Sequence, residues 1–164
     1  MRAPRTTLAL LVVAALATAL LAGCGGGADK DEHQPVACRE GTTAFLDALR
    51  AAPGEVLLAG EVPISDCLVV GAEEGELADL GEGALGAATK LNAEARAEAG
   101  GRAAVELGYL LGAIARGSAD TQGIHAELLR RLTVAARFAA EGEPLPPRFL
   151  AAYEKGFAAG RDHG

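Results

Sequence analysis

The chain has 164 residues, half of them apolar but only 4% aromatic, with a formal net charge of −7 and a pI near 5.0. That length supports one domain and not two, and with no Trp and one Met the core must be built from Leu, Val and Ala. The acidic balance argues against a non-specific nucleic-acid binder, which needs a basic face, and glycines and prolines without period exclude collagen-like and low-complexity chains.

Residues 1–23 read as a secretory signal. Arg2 and Arg5 form a charged start, and Leu8 to Leu21 form an apolar run that is too short for a membrane span and ends in Gly. The ending, Leu21-Ala22-Gly23-Cys24, resembles the lipobox of bacterial lipoproteins. The resemblance covers only about the first 25 residues. It implies cleavage before Cys24, a diacylglycerol on the Cys24 sulfur, and attachment to the membrane through that N-terminal lipid on the extracytoplasmic face. In a Gram-negative host, Gly25 rather than Asp after the lipidated Cys implies outer-membrane sorting. Cleavage removes both leading arginines and no acid, leaving the mature chain at −9. Anionic headgroups repel such a body, so the acyl chains must do the holding.

Two cysteines then remain, Cys38 and Cys67. An even pair in an exported domain predicts a disulfide. A metal site would want a C-x-x-C spacing or neighbouring histidines, and neither is present. Residues 24–37 are glycine, charge and proline and predict a flexible acylated tether, followed by one helical domain over 38–164. Asp29, Asp31, Glu32 and His33 fall in that tether and read as solvated charges rather than metal ligands.

The first predicted helix covers 42–52. Thr42 or Thr43 caps it, Phe45, Leu46 and Leu49 form its apolar face, and Pro53-Gly54 stops it. Residues 55–64 are ambiguous between strand and loop; Pro63 and the lack of an obvious partner favour an extended segment packed on the helices. Ser65 and Asp66 mark a second helical start, irregular at first. It is clear from Glu76 onward, where Leu77, Leu80, Ala84, Ala88, Leu91 and Ala95 recur at spacings of 3 and 4.

Residues 102–116 carry one charge, Glu106, between Ala103 and Ala115, and predict a central buried helix. Ala104, Gly108 and Gly112 make a flat stripe for close backbone approach. The next helix is expected over 121–141, with Ile124, Leu128, Leu132 and Ala135 buried and Glu127 paired to Arg131. The last is expected over 147–160, docked by Phe149, Tyr153 and Phe157, with Arg161 to Gly164 as a frayed tail.

Catalytic constellations are scarce. The two serines, Ser65 and Ser118, lie in no G-x-S-x-G elbow, the three histidines have no metal-binding spacing, no phosphate-binding loop occurs, and no cofactor motif is present. One cluster stands out. His125 and Thr121 open a helix after a turn, with Tyr109 and Arg116 on the preceding helix, and a helix start can hold an anion. The plain alternative is a His buried against backbone. The sequence therefore predicts an all-α bundle of four to five helices with one disulfide. It reads as an envelope lipoprotein with a non-catalytic binding or accessory role toward an envelope protein partner. The alternative is a small-molecule or anion binder using the His125 site.

Overall fold

In the computed structural model the described residues are 33–119, 121, 123, 125–137 and 142–164. The signal segment, the lipobox and Cys24 lie outside them. The fold is all-α, with five helices among the described residues: α1 (Gly41–Leu49), α2 (Glu74–Ala97), α3 (Arg102–Ser118), α4 (Ala126–Arg137) and α5 (Pro147–His163). Two 3-10 turns, Val36–Arg39 and Ile64–Cys67, and one small hairpin complete it.

The continuous apolar sequence of α3 has the expected consequence. Nearly every residue from Ala104 to Ala115 is buried, Glu106 included. Glu106 is tolerated there because Arg102, one turn earlier, reaches its carboxylate at 2.6 Å and also donates to the Arg50 carbonyl. Helix α5 packs along α3 more extensively than any other pair. Glycines on both helices make this possible. A Cβ on Gly108 or Gly112 would overlap the carbonyl oxygens of Tyr153 and Phe157, and a Cβ on Gly156 or Gly160 those of Val105 and Tyr109. The two backbones are in direct contact along two stripes, only one of which, on α3, is singled out by the sequence.

Helix α2 buries Leu80, Ala84, Ala88, Leu91 and Ala95 against α1, α3 and α4, as its periodicity requires. Its start differs from the expectation. Ser65 and Asp66 belong to the second 3-10 turn. The helix is opened instead by a capping box in which Glu73 and Glu76 each accept the other's backbone N–H, at 3.1 Å for Glu73 N–H to Glu76. The Glu73 N–H is the main influence holding the Glu76 carboxyl below its ordinary value, and Arg39 at 3.3 Å adds to it. Thr42 and Thr43 lie inside the first turn of α1, which has no side-chain cap.

The 55–64 segment is a paired hairpin. Leu57 and Leu58 (β1) face Pro63 and Val62 (β2) in antiparallel register. Ala59 and Gly60 both have positive φ, 50° and 79°, and Glu61 N–H closes the turn on Leu58 at 3.1 Å. The register leaves three residues, Ala59 to Glu61, in the loop, a length common in hairpins.

The disulfide between Cys38 and Cys67 joins the two 3-10 turns, with Cα atoms 5.6 Å apart and both residues fully buried. The tether expected through residue 37 ends sooner. Gln34 is buried and its amide donates to the Cys67 carbonyl at 2.6 Å, and Ala37 is buried beside Cys38. The far terminus is also more ordered than its polar composition suggests. Helix α5 runs to His163, Arg116 donates to the Asp162 carbonyl at 2.5 Å, and Gly164 is buried against Ala113.

Candidate functional site

The four residues singled out near His125 do not share a cavity. The Tyr109 hydroxyl is buried and accepts the Val56 N–H at 3.3 Å. Burial pushes its pKa up, Val56 and Arg116 oppose that, and Glu55 adds to it. Tyr109 and Arg116 are thus electrostatic neighbours, and Arg116 lines a cleft with Glu55 and Asp162. Thr121 lines a separate cleft with Ser65 and Val70, and its hydroxyl donates to the Ser118 carbonyl at 2.9 Å. His125 lines neither.

The helix start is later than expected. Gly123 has φ 89°, and α4 begins at Ala126, whose N–H bonds the Gly123 carbonyl at 3.0 Å. His125 precedes the helix, is 2% exposed, and has no hydrogen-bond partner among the described residues on either ring nitrogen. Burial lowers its pKa from 6.5. The unfolded chain binds the proton more readily, so stability is expected to fall as pH drops below about 6.5, until the depressed folded pKa is passed. Chemical denaturation of wild type and His125→Phe across this range checks it; the variant is expected to lose this component of the acid-side decline. Glu127 pairs with Arg130, by two bonds of 2.7 and 2.8 Å, rather than with Arg131. Leu132 is buried as expected, Leu128 and Ala135 are half-buried, Ala136 joins the core, and Ile124 and residues 138–141 lie outside the described set.

A groove of about 490 Å³ lies between α3, α4 and α5. It exists because α4 and α5 both pack on α3 yet scarcely touch each other. Leu111 and Ala115, one turn apart on α3, form its floor. The α4 wall carries Leu129, Thr133 and Ala136 at helical spacing, and the Thr133 hydroxyl is spent on the Leu129 carbonyl at 2.8 Å. The α5 wall is the aromatic ladder. Phe149, Tyr153 and Phe157 stack with ring centroids 6.3 and 6.1 Å apart. The sequence reads this ladder as a docked stripe. Phe149 is buried, but Tyr153 and Phe157 are half-buried, with faces on the groove.

Arg137 and Glu154 also line the groove, and both are exposed. Burial raises the Tyr153 pKa to about 12, with the Arg137 charge opposing it, so the phenol is neutral at ordinary pH and Arg137 is close enough to act on it. Among the described residues, no three His, Cys, Asp or Glu gather as a metal site, and no helix is long and apolar enough to cross a membrane. No protein-family model, curated protein or solved structure matches the chain.

Proposed function

We propose that this chain is a lipid-anchored protein of the cell envelope whose helical domain has a non-catalytic binding role, exercised through the groove between α3, α4 and α5. One observation carries the binding role: an open, mostly apolar groove of about 490 Å³ with a few polar groups at its edge, which is the size and character of small-molecule sites. Among the described residues the large apolar side chains left exposed include Leu150 on this groove, Val134 on another and Val70 on a third. Residues on separate grooves favour a groove ligand over a flat protein-docking patch. The anchor rests on Leu21-Ala22-Gly23-Cys24 and the signal before it.

Two measurements test this reading. Palmitate fed to cells is expected to label the protein in the membrane fraction, and Cys24→Ser is expected to abolish the label; unlabelled, membrane-free wild type overturns the anchor. A neutral photoreactive probe, diazirine-bearing lauryl alcohol, is expected to label residues 149–157 of the membrane-bound protein. Thr133→Phe, which fills the groove from a half-buried position, is expected to block labelling while the helical circular dichroism is unchanged. Absence of labelling in the wild type overturns the binding role.

A further inference from the structure

We infer that the groove holds a single-chain amphiphile with an anionic head, a free fatty-acid-like carboxylate, with its head on Arg137 and Tyr153 and its chain along Phe157 and Leu111. This rests on the groove being a binding site and adds the class of ligand and its direction.

The head position follows from two donors without acceptors. Arg137, like Arg96, Arg116, Arg131, Arg148 and Arg161, has no carboxylate within 4 Å among the described residues; it is the one arginine that lines this groove, which Glu154 also lines. Nothing among the described residues accepts a hydrogen bond from the Tyr153 hydroxyl. Arg137 and Tyr153 both line the groove, and the Arg137 charge is felt at the phenol. A carboxylate accepts from a guanidinium and a phenol together, through charge-assisted bonds.

The chain follows from the rest of the lining. Leu111, Ala115, Ala136, Phe149 and Phe157 offer no polar group, and the one hydroxyl on the α4 wall is already bonded within its helix. A bare phosphate would leave this apolar surface uncovered, and a plain alkane would make no use of the two donors. A drug-sized volume suits one chain, and a two-chain phospholipid is larger than that. Glu154 opposes an anion; it is exposed like Arg137 and both charges are screened alike, so the preference rests on the two donors at the head position.

The test uses the full membrane-anchored protein and two matched photoreactive probes, diazirine-bearing laurate and the corresponding alcohol, with labelled peptides mapped by mass spectrometry. Laurate is expected to label residues 149–157 about tenfold more than the alcohol, the difference a charged hydrogen-bonded head makes. Arg137→Gln is expected to bring laurate down to the alcohol level without changing the alcohol, Arg137→Lys to recover part of the difference, and Glu154→Gln to raise laurate labelling. Equal labelling by both probes in the wild type overturns the anionic head and leaves the groove as a binding site. Failure of both probes overturns the binding role as well. Displacement of the label by added phosphatidylglycerol but not by unlabelled laurate assigns the groove to bilayer lipid and overturns the free acid.

Discussion

Gly112→Leu is expected to lower the urea midpoint of the mature protein and to destabilise it by about 3 kcal/mol or more, at or beyond the upper end of the usual range for overpacking. In an exposed helix the same change would be stabilising, because Leu has the better helix propensity by under about 1 kcal/mol. The two environments therefore predict opposite signs. Here a Cβ at Gly112 would overlap the Phe157 carbonyl oxygen and come within 3.0 Å of the Arg161 nitrogen. Both are backbone atoms of α5, so no side chain can swing away to make room. The helix must move as a body, and the glycines at 108, 156 and 160 resist that through the same kind of contact. An unchanged or raised midpoint would show that α3 and α5 are not in backbone contact.

Removal of the Cys38–Cys67 bridge is expected to cost about 3–4 kcal/mol, the chain-entropy value for a closed loop of this length; the cysteines are 29 residues apart. The loop contains α1 and the hairpin, and the bridge joins the two 3-10 turns, which pack on α2 and α3. Denaturant melts of the native protein with and without reductant, and of the Cys38→Ala, Cys67→Ala double variant, measure the effect. Coincident melts would show that the bridge does not constrain the unfolded chain. Free thiols at both positions in exported protein would show that it does not form.

Several elements were legible because a local pattern left one solution. A run with a single charge in thirteen residues cannot be placed on a surface, and α3 is accordingly buried on all sides. The 3–4 spacing of α2 has only one apolar face to bury. The hairpin was not legible, because its turn places Ala59 at φ 50°, a conformation Ala seldom adopts, so Ala-Gly carries little of the signal that Asn-Gly would. The start of α2 was missed because its cap is Glu73, whereas Ser, Thr, Asp and Asn are the usual signals. Thr121 and His125 read as a helix start, but Gly123 at positive φ postpones α4 to Ala126.

The sequence by itself determined the helical class, the central helix, the cysteine pairing and the three aromatic residues at one-turn spacing on α5. It also predicts the anchor at Cys24. All of these depend on residues close together in the chain or on composition. Only the tertiary structure decided that the second small-residue stripe, Gly156 and Gly160, meets the first, and that the polar tail is held by Arg116. It also decided that Phe149 is buried in the core while Tyr153 and Phe157, packed against that core, are half-buried and line a groove. Helical spacing shows which side chains share a face. What covers that face depends on the angle between α4 and α5, and that angle is set by how each packs on α3, through contacts between residues far apart in sequence.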